Sequence, residues 1–197
     1  MFVFLYPMKR FLFLLPSFFL FSCGKQFRFA THAEAVADSS YIYALPYPQA
    51  KSLLLIQGYN SRFSHRGRLG LDFKMKQGSP VLAARSGVVV AIEESATRGG
   101  AKKKYLHKGN YVMIRHSDGT QAYYGHLQHN GADVNVGDSV QTGQLIAHSG
   151  STGYSAFPHL HFIVWRPGAA GRRQVPTRFR TKKGILYLRA GHWYKAA

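Results

Sequence analysis

The sequence predicts a single all-β domain, built mostly from antiparallel sheet with short strands and glycine turns. Short runs rich in β-branched and aromatic residues recur along the chain, at 81–84, 88–92, 111–114 and 161–165. Turn signals separate these runs, at 86–87, 117–119, 136–138 and 142–143. No stretch shows a sustained helical period. Together these patterns are typical of strands that fold back on one another through tight turns.

The first 22 residues have the anatomy of an export signal. Lys9 and Arg10 precede an apolar run over residues 11–21. This run is shorter than the roughly 20 residues of a membrane span. A charged start followed by a short apolar segment instead predicts a signal peptide over residues 1–22. The chain could start at Met1 or at Met8, since Met8 stands directly before the basic pair.

The export signal ends in Leu-Phe-Ser-Cys, which resembles the lipobox of bacterial lipoproteins. Small Ser22 suits the signal peptidase, and the thiol of Cys23 would take the lipid, although Phe21 is bulkier than the usual residue. The alternative is an ordinary signal peptide, or an uncleaved anchor, with an incidental cysteine. The first interpretation predicts an exported, membrane-anchored lipoprotein of the bacterial envelope. Gly24 is compatible with the outer membrane where there are two membranes.

The sequence is predicted to divide into three segments. Residues 1–22 are the signal peptide, residues 23–50 a lipid-anchored linker, and residues 51–197 the folded domain. The linker assignment rests on the absence of any period and on Pro46 and Pro48. Within the domain, residues 98–108 (RGGAKKKYLHK) are expected to form an exposed cationic loop.

The charge balance predicts a polyanionic neighbour. The chain has 26 Lys and Arg against 8 Asp and Glu, a formal net charge of +18. Charge alone does not choose among nucleic acid, anionic lipid and an anionic envelope polymer. The export signal argues against nucleic acid, which is not an expected partner. A single cysteine excludes an intramolecular disulfide.

Histidines and one aspartate form a candidate metal site. His159 and His161 are two residues apart, so on a strand both imidazoles point to the same face. Asp72 stands between Leu and Phe, an unusual place for an unpartnered charge, and His65 lies nearby in sequence. Two imidazoles and one carboxylate give zinc three ligands and leave a fourth position for water. The alternative is that each histidine is an ordinary hydrogen-bonded core or surface residue.

The order of these motifs resembles that of the lysostaphin-like, or LytM-type, zinc metalloendopeptidases. The resemblance rests on His65 with Asp72, on Tyr-Gly-His-Leu at 124–127 and on His-Leu-His at 159–161. Segments 78–84, 137–144 and 150–153 are also similar, so that it covers about residues 58–166. It implies the peptidase fold of that family, with zinc bound by His65, Asp72 and His161. It also implies that His126 and His159 line the site as catalytic residues.

The spacing of the first two ligands departs from the usual pattern of that family. Many members place the first His and the Asp four residues apart, whereas His65 and Asp72 are seven apart. The position four residues before Asp72 is Arg68, whose side chain cannot bind zinc. Since some relatives carry an insertion here, His65 is expected to take the ligand role.

The activity that the resemblance implies is zinc-dependent hydrolysis of peptide bonds in peptidoglycan cross-links or stem peptides. No glutamate lies near the motifs, so His126 and His159 are the candidates for moving the proton, with the roles undivided. Tyr59 would either stabilise the oxyanion or serve as a packing residue. One alternative is a non-catalytic envelope regulator of another cell-wall hydrolase. Another, a lipoyl-type carrier, is disfavoured because no lysine lies between Lys108 and the His-Leu-His motif.

Overall fold

A computed structural model describes residues 42–49, 51–169 and 171–197 of the chain. These residues form fourteen strands and one short 3₁₀ turn, Lys103–Tyr105. The strands are β1 Ile42–Ala44, β2 Ser52–Gln57, β3 Leu71–Lys74, β4 Pro80–Leu82, β5 Gly87–Glu93, β6 Asn110–Arg115, β7 Gln121–Ala132, β8 Ser139–Val140, β9 Leu145–Ser149, β10 His159–Gly168, β11 Gly171–Gln174, β12 Arg178–Thr181, β13 Gly184–Leu186 and β14 Trp193–Lys195.

Most of the strands belong to one large antiparallel sheet. Its order is β14-β2-β3-β10-β7-β6-β5-β8, with β11 paired to β10 and β9 paired to β4 and β7. A second, small sheet has the order β1-β12-β13, in which β1 and β12 run parallel. The predicted all-β class with mostly antiparallel pairing is therefore confirmed. The strand signals at 81–84, 88–92, 111–114 and 161–165 correspond to β4, β5, β6 and β10.

The two faces of the large sheet have different surroundings. Along β7, Ala122 and Tyr124 are fully buried in the core, while Tyr123 between them is only partly buried and points to the opposite face. Val112 and Ile114 of β6 alternate in the same way. Because side chains on a strand point alternately to the two faces, one face can pack the core while the other carries polar groups. The polar face of the central strands is where the candidate site lies.

The folded unit extends further towards the N-terminus than the sequence indicated. Strand β1, placed in the linker by the sequence, pairs with β12. Tyr43, Leu45 and Tyr47 are buried, and the hydroxyl of Tyr47 donates to the carbonyl of Tyr194. A three-residue strand is too short to show a period, and the prolines nearby resembled those of a linker. Residues 42–48 therefore belong to the packed domain.

The remaining N-terminal predictions lie outside the described residues. These are the signal peptide, the lipobox with Cys23 and the first part of the linker. In the part of the chain that the structure describes, no helix has the length and apolar character needed to cross a membrane.

The cationic loop is exposed, as expected, and lies beside the polar face of the sheet. Lys102, Lys103 and Lys104 are all exposed. The loop is joined to the segment after β9 by a bridge between Gly99 and Gly153. Where the loop ends, Gly109 lies against Thr152 and near the imidazole of His126.

Candidate metal and catalytic centre

His65, Asp72 and His161 come together in one cluster. Their potential ligand atoms all lie within 4.8 Å of one another. Nε2 of His65 is 3.4 Å from Oδ2 of Asp72, and Nδ1 of His161 is 2.7 Å from Oδ1 of Asp72. The three residues that the sequence proposed as ligands thus occupy a space of the size that a single metal ion needs.

Pairing between β3 and β10 places two of these side chains. His161 lies directly opposite Asp72 in the register of the two antiparallel strands. Their neighbours Leu71, Phe73 and Leu160 are fully buried on the core side. Since the side-chain period of a strand is two, burying these apolar neighbours directs Asp72 and His161 to the opposite face.

The loop between β2 and β3 supplies His65. A turn closes directly after it, where the amide of Arg68 donates to the carbonyl of His65. Gly67 in this turn has φ of 66°, a left-handed conformation that glycine adopts without steric cost. The turn takes up the additional residues of the seven-residue spacing, so His65 is buried in the cluster while Arg68 is exposed.

Backbone carbonyls orient the imidazoles. Nδ1 of His65 donates to the carbonyl of Gly58 at 3.2 Å. In the same way, Nδ1 of His126 donates to Thr152 and Nδ1 of His159 to Phe157, both at 2.8 Å. A ring nitrogen that faces a carbonyl must carry the proton, so in the neutral form of each ring it is Nε2 that has the lone pair. Such hydrogen bonds are the usual support of metal-binding histidines.

The charge of Asp72 suits a metal ligand. Burial opposes its ionisation, but hydrogen bonds from His161 and His65 outweigh that effect and hold its pKa well below the usual range. Gln57, which the sequence did not single out, donates from Nε2 to Oδ2 of Asp72 at 2.7 Å. One carboxylate and two imidazoles are a donor set that zinc accepts, with room for a fourth ligand. The residues present therefore fit a zinc ion.

Gly70 lets the ligand rings approach the backbone. A Cβ atom at this position would lie 2.7 Å from Cε1 of His161 and 3.0 Å from Cε1 of His65. These distances are shorter than contact distances allow, so a larger residue would push the two rings apart. The sequence contains no signal for this role, because it depends on two side chains from distant parts of the chain.

His126 and His159 lie beside the cluster. Their ring centroids are 4.7 Å apart, and Nε2 of His159 is 3.7 Å from Oδ2 of Asp72. Desolvation and the neighbouring imidazoles His159 and His161 lower the pKa of His126 to about 3. Desolvation also lowers the pKa of His159. Both rings are therefore neutral near neutral pH and can accept a proton.

A β-bulge directs His126 into the site. Strand β7 pairs Gly125 with Tyr111 and Leu127 with Asn110, so His126 is an extra residue without a partner on β6. Its φ is 63°, a left-handed conformation that costs a residue other than glycine roughly 1–2 kcal/mol. Bulges of this kind re-aim a side chain out of the regular alternation. The sequence identified His126 as a site residue but did not predict the β-bulge.

Tyr59 is not placed to stabilise an oxyanion. Its hydroxyl lies 2.7 Å from Oγ1 of Thr177 and accepts a hydrogen bond from the Thr177 amide at 2.8 Å. Burial raises its pKa to about 12. Tyr59 therefore has the packing role that the sequence left open as the alternative.

The chain is similar to known peptidases over the segment that holds the site. The model of peptidase family M23 matches residues 66–174, beginning one residue after His65. A protein of Haemophilus influenzae named an uncharacterized metalloprotease is 37% identical over 122 residues, which cover 59% of this chain and 23% of that protein. Lysostaphin of Staphylococcus simulans is 43% identical over 94 residues, covering 47% of this chain and 17% of lysostaphin. The chain thus spans about a fifth of the length of the curated relatives it matches.

Two further proteins bear on the fold and the activity. The catalytic domain of EnpA, a prophage-encoded M23 protein of Enterococcus faecalis, superposes with a TM-score of 0.51 at 25% identity, covering 66% of this chain and 93% of that domain. The DD-carboxypeptidase/endopeptidase Mpg of Neisseria meningitidis is 40% identical over 100 residues, covering 50% of this chain and 20% of that protein. The fold of this chain is that of the lysostaphin-like peptidases.

Proposed function

This chain belongs to peptidase family M23, and we propose that it is a zinc-dependent endopeptidase that hydrolyses peptide bonds in peptidoglycan cross-links or stem peptides. The observation that carries the proposal is the convergence of His65, Asp72 and His161 from three separate parts of the chain. His126 and His159 stand next to these ligands as groups that can carry the proton in a metal-assisted hydrolysis.

The proposed mechanism divides the site into ligands and proton carriers. His65, Asp72 and His161 would hold zinc, which when bound would supply Lewis-acid chemistry: it would polarise a carbonyl and lower the pKa of water so that hydroxide is available near neutral pH. Asp72 is the carboxylate of the described cluster, and its two oxygens already contact His65, His161 and Gln57. Asp72 is therefore assigned to the metal and not to proton transfer. The free Nε2 atoms of His126 and His159 are then the groups that take a proton from the attacking water and return it to the leaving amine.

The names of the relatives support the substrate class. Among the similar proteins, ALE-1 of Staphylococcus capitis is named a glycyl-glycine endopeptidase and Mpg a DD-carboxypeptidase/endopeptidase, which are cuts at glycine and D-amino-acid bonds of the kind found in peptidoglycan. The high positive charge of this chain fits work against an anionic envelope. Peptidoglycan is accordingly the proposed substrate, and the scissile bond is one within its peptide part.

Removing the metal is expected to abolish the activity. Purified protein should contain one zinc per chain and reduce the turbidity of purified peptidoglycan, and a chelator or the His161→Ala substitution should stop this reduction. His148→Ala is the matched control, because His148 pairs with Asp133 at the surface and should leave both zinc and lysis unchanged. Lysis that survives complete removal of metal would contradict the mechanism. A folded protein with neither zinc nor lysis would support the non-catalytic regulator instead.

We also propose that the protein is exported and anchored to a membrane by lipid on Cys23. The support is the signal-like segment 1–22 and the lipobox-like residues before the cysteine. Expressed in a bacterial host with radiolabelled palmitate, the chain should become labelled, and Cys23→Ser should remove the label completely. Equal labelling of the two chains would exclude Cys23 as the lipid site, whereas export without any label would favour the ordinary signal peptide.

A further inference from the structure

Arg178 is a buried cation that has no counter-charge among the residues that the structure describes. It is the first residue of β12, its exposed fraction is 7%, and its Nη2 atom is enclosed without a hydrogen-bond partner. A buried guanidinium costs several kcal/mol unless it is paired and hydrogen-bonded. The position is therefore one where an anion would remove an electrostatic cost that the folded chain otherwise carries.

The chain itself does not supply that anion among its described residues. No acidic residue follows Asp138 in the sequence. Every acidic side chain that the structure describes has a partner elsewhere: Asp72 in the histidine cluster, Glu93 with Ser95, Glu94 with the amide of Ala132, Asp118 with Arg85, Asp133 with His148, and Asp138 with the amide of Asn135. Among the described residues no acidic side chain is therefore left over for Arg178, and a bound anion would supply the missing negative charge.

A cavity beside Arg178 collects further positive charge. It has a volume of about 280 Å³, and its lining includes Arg166 and Arg173. These two arginines lie directly opposite each other in the β10–β11 pair, where like charges repel. Arg166 already has another contact, so the cations available to a ligand are Arg173, which is exposed, and Arg178 at the buried end.

We propose that this cavity binds the oxyanion of a phosphate group, held by Arg178 and Arg173. The planar guanidinium fork matches phosphate oxygens and forms strong charge-assisted hydrogen bonds with them. The site is separate from the metal cluster: the strand pair lines up Gln174 of the cavity with Trp165, which lies four residues along β10 from His161. At about 3.4 Å per residue, Trp165 is about 14 Å along the strand from His161. A phosphate ester of an envelope polymer or lipid headgroup shares this chemistry with free phosphate.

Titration calorimetry with inorganic phosphate, at constant ionic strength set with chloride, tests the site on the whole chain. The expected result is saturable binding of one phosphate per chain, weakened at least about tenfold in Arg178→Gln. Arg180→Gln is the matched control, because Arg180 is exposed on the same strand, carries the same charge and does not line the cavity. Its affinity for phosphate should equal that of the wild type.

Two further comparisons make the outcome decisive. If circular dichroism shows that Arg178→Gln does not fold, Arg173→Gln decides instead, since this exposed residue can be replaced without disturbing the core, and it should also weaken binding. Binding of the protein to vesicles of phosphatidylglycerol is then compared with its binding to vesicles of phosphatidylcholine. If the protein binds only phosphatidylglycerol, and Arg173→Gln reduces that binding, the phosphate belongs to a lipid headgroup. If the protein binds phosphate but neither kind of vesicle, the ligand is a soluble phosphate. Absence of saturable phosphate binding, or equal weakening by Arg180→Gln, would overturn the proposal.

Discussion

Replacing His65 with alanine is expected to remove the bound zinc and to lower peptidoglycan hydrolysis by at least about 10³-fold. Nε2 of His65 lies 3.4 Å from Oδ2 of Asp72, in a position where both can hold one ion. The electrostatic assistance that a metal gives is worth several kcal/mol, and each 1.36 kcal/mol is about a factor of ten in rate. Metal content by mass spectrometry and turbidity loss of purified peptidoglycan measure the two effects.

Arg68→Ala is the matched control for His65. Arg68 occupies the position four residues before Asp72, and its side chain is exposed. Its replacement should leave zinc content and rate within about twofold of the wild type, since surface substitutions away from special features are usually within about 0.5 kcal/mol. Loss of zinc from Arg68→Ala with retention in His65→Ala would show that the seven-residue spacing has been misread.

Replacing His126 with alanine is expected to lower the rate about 10²- to 10⁴-fold while one zinc per chain remains. General acid or base catalysis by a positioned side chain contributes about this much. Nδ1 of His126 is held by the carbonyl of Thr152, so only Nε2 is free for the reaction. His126 is absent from the group of potential ligands, which is why the metal should stay. Steady-state rates together with zinc content of the same sample check both statements.

His129→Ala provides the comparison for His126. His129 lies on the same strand but is exposed, and its Nδ1 contacts the carbonyl of Glu94 away from the site. The substitution should change neither rate nor zinc content. If His126→Ala loses zinc, the residue is a ligand and the division of roles proposed above is wrong; if it keeps the full rate, His159 carries the proton alone.

Much of the fold could be predicted because strands leave a local mark. The runs rich in β-branched and aromatic residues that form β4, β5, β6 and β10, and the glycine turns between them, can be seen in a few consecutive residues. Strand β1 has no such signal in the sequence, because a strand of three residues is too short to show one. Its place beside β12 depends on contacts with residues more than 130 positions away. The predicted linker, residues 23–50, therefore included residues that belong to the folded domain.

The sequence by itself determined which residue types this protein brings to a metal site. His-Leu-His at 159–161 puts two imidazoles on one face of a strand, and Asp72 between two core residues is a charge that needs partners. These are consequences of side-chain period and of the cost of burying charge, both of which act locally. The resemblance of the motif order to the lysostaphin-like enzymes follows from the same residues.

Only the tertiary structure decided how the site is assembled. The turn at Gly67 brings His65 back to Asp72, the bulge re-aims His126, and Gly70 leaves space for two rings. The turn is local, but its result is seen only when His65 meets His161, and the bulge and the space at Gly70 depend on the pairing of strands β3, β6, β7 and β10 rather than on neighbouring residues. The enclosed Nη2 atom of Arg178 is a further feature of this kind, because its burial and its lack of a hydrogen-bond partner among the described residues exist only after the chain has folded.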